Sequence, residues 1–302
     1  MKKTVMTLLL VCACAIGAHA QLLYRISGNG LAKPSYIIGT HHLANTQFVD
    51  KIAGVKEAMA ATDQVYGELT FETLANPDSM AYLQRAMMLP DGKHLKDVLT
   101  EAQYQKLNAL LTKTITVDLT NPQLEAQLGQ VSPMGIVTQL TLISYMMRHS
   151  GEFDPTNGFD QYFQTEAKKN GKPSFGLETI AYQAQVLFNS SSLERQVERL
   201  ECYIDNKDFS DMMTEEMTKA FYAQDLAAMK KAMDEKLNNS CDDTPEEEAT
   251  LISNRNADWL KKMPAIMAAK PTFFAVGAGH LPGDKGVLEG LRKLGYTVEG
   301  VK

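Results

Sequence analysis

Two segments of the chain end alike: Tyr36-Ile37-Ile38-Gly39-Thr40-His41-His42 and Phe273-Phe274-Ala275-Val276-Gly277-Ala278-Gly279-His280. Each is an apolar run that reads as a buried β-strand, then a glycine, then a histidine three residues on. Glycine allows a sharp turn at a strand end, and open α/β sheets gather ligands just beyond the carboxyl ends of their strands. Two further short runs end in a carboxylate, Glu68 after Val65-Tyr66-Gly67 and Glu178 after Phe175-Gly176-Leu177. If these four strands run parallel, His42, Glu68, Glu178 and His280 converge on one rim. Two imidazoles and a carboxylate are a minimal set for a divalent ion with open positions, where water becomes acidic enough to attack an ester or amide. The chemistry indicated is hydrolysis.

The pattern also admits plainer roles. No local motif such as His-Glu-x-x-His ties the residues together, and a histidine after a strand also serves as a hydrogen-bonded structural residue. His41 adjoins His42, and neighbouring residues point to different sides, so the two are not expected to ligate in the same way. His94, in Asp91-Gly92-Lys93-His94, and His149, at a helix end, read as solvated or capping residues.

The elements that must position these side chains follow from periodicity. Leu22–Ile26 alternates as a strand, Asn29-Gly30 is a hairpin signal, and Tyr36–Ile38 is the returning strand. Apolar residues at helical spacing predict a helix over 49–61, followed by a strand over 64–69, the order of a βαβ unit. A helical stretch over roughly 75–170 is marked by openings at Asn76-Pro77, Thr100-Glu101, Asn121-Pro122 and Ser132-Pro133, with a last helix starting at Asn157-Gly158-Phe159-Asp160. A strand over 174–178, amphipathic helices over 192–206, 208–239 and 244–267, a central strand over 273–276, a helix over 285–294 and an edge strand over 295–299 complete the reading. The fold class is α/β: a central mixed, largely parallel sheet flanked by helices, with a large helical insertion. We expect one domain over 21–302, with the insertion at about 75–170 and a further helical region over 192–267.

Composition narrows the partners. Residues 1–20 carry Lys2 and Lys3, an apolar run from Val5 to Ile16 and then Ala18-His19-Ala20, the pattern of a secretory signal peptide cut before Gln21. A lipid anchor at Cys12 or Cys14 is the alternative, and Val11 before Cys12 suits it poorly. No run reaches the ~18 apolar residues a spanning helix needs. The chain is therefore expected to be exported, periplasmic or extracellular, with no integral membrane span. Of 302 residues 282 remain after the leader, and loss of Lys2 and Lys3 from 30 basic residues leaves 28 against 36 acidic ones, a net charge of −8. A phosphate-binding surface needs the opposite balance, so nucleic acid is excluded. The acidic run Asp242–Glu248 reads as a helix N-terminus. Cys202 and Cys241, the cysteines left, are expected to form a disulfide that staples a helical excursion.

A family pattern runs through the same residues. Tyr36–His42, Gly67-Glu68, Gly158-Phe159-Asp160, Gly176-Leu177-Glu178-Thr179, Arg255-Asn256 with Trp259, and Val276–Leu281 with Gly283, Gly286 and Gly295-Tyr296 occur in the order seen in the TraB/GumN/Tiki family, which the chain resembles. The resemblance implies a fold similar to erythromycin esterase and the ChaN-like proteins. It also implies a divalent-metal-dependent, peptidase-like hydrolase acting on a peptide or small-molecule substrate. It maps the metal ligands (Zn, Mn or Co) onto His42, Glu68 and His280. Glu178 then becomes the candidate general base, and Arg255 with Asn256 would steady the oxyanion. Where the family commonly has an apolar residue this chain has His41, a partner for the ligands or an occupant of an apolar slot. The rival the resemblance leaves open is a binding protein that sequesters haem, iron or a peptide, with Tyr24, Tyr36 or Tyr66 beside the histidines.

Overall fold

The computed structural model describes residues 21–150 and 158–302, so the leader expected over 1–20 and Asn157 lie outside the described residues. Alternating side chains and the Asn29-Gly30 turn form the hairpin of β1 (Leu23–Ser27) and β2 (Ser35–Thr40), paired antiparallel with Arg25 opposite Tyr36. Both residues take positive φ, 47° at Asn29 and 80° at Gly30, and form a β-turn closed by Leu31 N–H donating to Gly28 O at 3.0 Å, inside the longer connection that leads to Ser35. The sheet then grows on the other side of β2 through β5 (Thr272–Gly277), β3 (Gln64–Gly67) and β4 (Ser174–Gly176), all parallel, while β6 (Thr297–Gly300) closes the far edge against β1. The order β4-β3-β5-β2-β1-β6 is the mixed, mostly parallel α/β sheet expected.

Burial on both faces explains the apolar runs. Ile37, Ile38, Val65, Phe273, Phe274 and Val276 are buried with Phe159, Phe163, Phe221 and Trp259 from the flanking helices. A second apolar cluster, including Leu95, Leu107, Leu111, Ile136, Leu140 and Leu200, holds the helical stretch together away from the sheet. Its helices start where the caps direct. Asn76, Thr100, Asn121 and Ser132 each accept backbone N–H bonds from the first turn, with proline at the start of three of them.

Three expected helices are interrupted. The one over 49–61 divides into a 3₁₀ turn, Thr46–Lys51, and a helix, Val55–Ala61, at Gly54 with φ of 74°. The one over 208–239 becomes Lys207–Tyr222 and Leu226–Met233, broken at Gln224 with φ of 57°. That over 244–267 begins as Pro245–Glu248 under a Thr244–Glu247 capping box, widens into a π-turn at Ala249–Ser253, and continues as Asn254–Ala269. Cys202 and Cys241 are bonded, with Cα atoms 5.5 Å apart, tying the Leu193–Asp205 helix to the loop before that capping box.

Candidate functional site

Parallel β2, β5, β3 and β4 deliver His42, His280, Glu68 and Glu178 to the same rim, each within three residues of its strand's end. Close packing around β5, by β2 on one side and by the residue after β3 on the other, sets the two histidine turns. A Cβ on Gly39 would meet Ala278 Cβ at 2.8 Å, and one on Gly277 would meet Glu68 Oε1 at 3.1 Å. Gly39 is required for close approach rather than for unusual φ, and Gly277 leaves the Glu68 carboxylate its place.

Arg255, from the first turn of the Asn254–Ala269 helix, is the centre of the buried half of the site. Its Nε and one Nη donate to the two oxygens of Glu178, each at 2.8 Å, and the same Nη donates to Glu68 Oε2 at 2.5 Å. The other Nη donates to Leu251 O at 3.2 Å and to His280 Nε2 at 3.0 Å. All five guanidinium N–H groups are therefore taken. A guanidinium can only donate, so His280 Nε2 accepts and the ring proton lies on Nδ1, which donates to Asn256 Oδ1 at 2.7 Å. Asn256 uses its own N–H groups on His280 O and Lys285 O. Trp259 Nε1 donates to Glu178 at 2.9 Å, and the Glu178 side chain is only 1% exposed.

Electrostatics follows from this network. Burial, aided by the charges of Arg255 and His42, pushes the pKa of His280 down to about 4 against the pull of Glu68, so the ring is neutral at neutral pH. Burial works against the Glu68 carboxylate, but His280, Arg255 and the Gly277 N–H, which donates to Oε1 at 2.8 Å, outweigh it and hold the group below its usual range. Gln183 adds a bond to Oε2 at 3.0 Å. Glu68 keeps one Oε1 lone pair unclaimed and is 16% exposed, so it reaches water where Glu178 does not.

His42 is in a different environment. Its Nδ1 donates to Asp160 Oδ2 at 2.9 Å and its side chain is 81% exposed, with Nε2 open to the solvent. The charge of Asp160 and the hydrogen bond to it raise the pKa to about 9, so the imidazole carries a proton at neutral pH. Asp160 is the second residue of the Phe159–Lys169 helix; burial opposes its ionised form, yet His42 holds its pKa below the usual value. The Thr40 hydroxyl lies near enough to Asp160 to favour ionisation, although nothing meets hydrogen-bonding geometry at its buried Oγ1.

His41 turns away from His42, as expected. Thr218 Oγ1 donates to Thr214 O at 2.8 Å, so it must accept from His41 Nε2 at 2.9 Å. With Phe221 at 5.3 Å, His41 occupies an apolar slot, and burial lowers its pKa to about 4. His94 bonds Glu125 and Gln130, and His149 bonds Glu215 and stacks on Tyr145, in keeping with roles away from the rim. Tyr36 is the second residue of β2 and Tyr24 pairs with Ile37 in mid-strand, whereas His42 lies beyond the strand's carboxyl end. Tyr66 lies between the rings of Phe175 and Phe274. A cavity of about 1060 Å³ between the disulfide and the rim, lined by Met213, Met217, Met233 and Ile252, meets this site at Arg255 and Gly279.

The expected ligand set does not fit a divalent ion in this arrangement. His280 Nε2 is engaged by Arg255, Glu68 receives three N–H donors, and a guanidinium lies between the two. Among the described residues no group of three or more His, Cys, Asp or Glu side chains is disposed to hold a metal. Sequence reasoning gave Asp160 only a passing role and missed Gln183. The signal for Asp160 was its place in the first turn of a helix after Gly158-Phe159, which does not reveal a partner 118 residues away.

A family model described as the TraB/PrgY/gumN family matches residues 22–300. Metalloprotease TIKI2 of Xenopus tropicalis is 26% identical over 306 residues, covering 88% of this chain and 57% of that protein. Metalloprotease TIKI1 of Homo sapiens is 26% identical with 88% and 59% covered, and a metalloprotease TIKI homolog of Nematostella vectensis 25% with 89% and 65%. The chain thus spans less than two thirds of the length of these relatives.

Proposed function

Because the chain belongs to the TraB/PrgY/gumN family, whose relatives above carry the name metalloprotease, we propose that it is a hydrolase that cleaves peptide bonds at the rim of the sheet. The division of hydrogen-bonding capacity at the rim supports it. Of the polar groups gathered there, His42 Nε2 and Glu68 Oε1 retain capacity toward solvent, whereas Arg255, Asn256, Glu178 and His280 are spent on one another.

In this reading Glu68 orients a water and takes its proton as the water oxygen attacks the carbonyl carbon. The protonated His42, held by Asp160, gives its Nε2 proton to the departing amine as the C–N bond breaks, and recovers it from Glu68. Arg255 and Glu178 hold Glu68 in place, and Asn256 fixes the tautomer of His280, so these act as positioning residues rather than as the base and oxyanion donors the sequence suggests. The relatives' names speak for a metal, with Zn, Mn or Co as the expected ions. The donor arrangement in this chain does not suit one at His42, Glu68 and His280. An exported location is part of the proposal: the Cys202–Cys241 bond suits an oxidising compartment, and among the described residues no helix is long and apolar enough to cross a membrane.

The test is incubation of purified protein with a peptide library, reading new termini by mass spectrometry. Cleavage by the wild type that is lost in His42→Ala and in Glu68→Gln is expected. No cleavage of any library member by the wild type would sink the reading.

A further inference from the structure

We infer that the Arg255 guanidinium is the resident cation of the Glu68–Glu178–His280 cluster, so that it and a divalent ion exclude one another, and that removing it creates a metal site there. The atoms that would serve a metal are the ones Arg255 occupies: Glu68 Oε2, both oxygens of Glu178 and His280 Nε2, all 2.5–3.0 Å from its nitrogens. Two carboxylates and an imidazole are donor types for a borderline divalent ion, and here they ring a planar cation, each bonded to its own N–H group, so that they can close on a metal only once that cation is gone.

The surroundings lock the arrangement. Asn256 holds the His280 proton on Nδ1 and so turns the Nε2 lone pair to Arg255. Trp259 lies with its ring 5.2 Å from the guanidinium carbon and its N–H on Glu178. Both sit on the helix that carries Arg255, so one element supplies the cation and the groups that hold its partners. A metal entering this cluster meets a fixed positive charge and finds its donor lone pairs engaged. Loss of the Arg255 side chain would leave the same donors facing a vacated, negatively charged pocket. Metal uptake at this cluster does not depend on whether the protein cleaves peptides.

Cobalt(II) titration of the purified protein, read by the visible ligand-field bands and by bound metal after gel filtration, tests it. The wild type and His280→Ala should give the same spectrum, with no cobalt at this cluster. Arg255→Ala should take up about one equivalent at least ~10-fold more tightly than the wild type, and Arg255→Ala/His280→Ala should lose that gain. A wild type that binds about one equivalent and loses it in His280→Ala overturns the inference. So does a folded Arg255→Ala protein with wild-type cobalt affinity. Should Arg255→Ala not fold, the wild-type and His280→Ala comparison still decides the exclusion.

Discussion

The two Gly-x-x-His turns lie on adjacent strands, in register from Tyr36 opposite Phe273 to Thr40 opposite Gly277, yet their histidines have opposite fates. His42 is 81% exposed, paired with a carboxylate, and protonated at neutral pH. His280 is 6% exposed, bonded on both nitrogens to Arg255 and Asn256, and neutral. Identical spacing brings the two imidazoles to one rim, and the elements packed beyond the rim decide what each becomes. The helix that starts at Phe159 brings a carboxylate to one, and the helix that starts at Asn254 brings a guanidinium and an amide to the other. A shared motif therefore marks a place in the fold and leaves the chemistry to what surrounds it.

Exchange of the two histidines for alanine is the strongest way to break this contrast. His42→Ala should lower kcat on a cleaved peptide by about 10²–10⁴-fold while costing less stability than His280→Ala, because the lost ring faces solvent and its pairing with Asp160 is screened. His280→Ala should reduce activity and also stability, since a buried Arg255 N–H and the Asn256 oxygen lose their partner, at about 1–3 kcal/mol for each unsatisfied group. If the two variants behaved alike in both readouts, the division into an acting and a structural histidine would fail. The glycines give a smaller effect. Gly39→Ala forces a Cβ against the Ala278 backbone at 2.9 Å and should cost about 1–3 kcal/mol in chemical denaturation. Gly277→Ala meets the Glu68 carboxylate at 3.1 Å, a looser contact than that at Gly39, and should cost less stability while disturbing activity through Glu68. Equal loss of stability in the two variants would remove the distinction drawn between the turns.

Much of the frame was legible because it rests on local rules. The Asn29-Gly30 turn, the Asn-Pro and Ser-Pro helix starts and the apolar strands need only neighbours in sequence, and the structure has them where the pattern put them. Strand-end convergence of His42, Glu68, Glu178 and His280 was legible for the same reason, once the strands were taken as parallel. The pairings within the site were not, because they join residues far apart in the chain: Asp160 to His42, Gln183 to Glu68, Arg255 to Glu178. Nor does spacing reveal that a guanidinium stands where two carboxylates and an imidazole suggest a metal. Breaks at Gly54 and Gln224 escaped because the apolar periodicity continues across them.

The finest test of the contrast is the pH dependence of stability, where the two histidines act in opposite directions. The folded pKa of His42 is raised from 6.5 to about 9, so its contribution is complete below pH 6.5 and is lost as pH rises toward 9. Water around the exposed ring screens the Asp160 charge and makes this limb shallow. For His280 and His41 the folded pKa is lowered from 6.5 to about 4, so their contribution is complete above pH 6.5 and is lost as pH falls toward 4, where protons bind the unfolded chain first. Asp160 and Glu68, both held below their ordinary values, extend the same loss further into acid. Urea midpoints followed from pH 4 to 9 should thus fall on both sides of a maximum near 6.5. His42→Gln should flatten the alkaline limb alone, and His280→Gln should weaken the acid limb while His41 keeps part of it. A His42→Gln protein with the full alkaline decline would assign that limb elsewhere and leave Asp160 without the role given to it here.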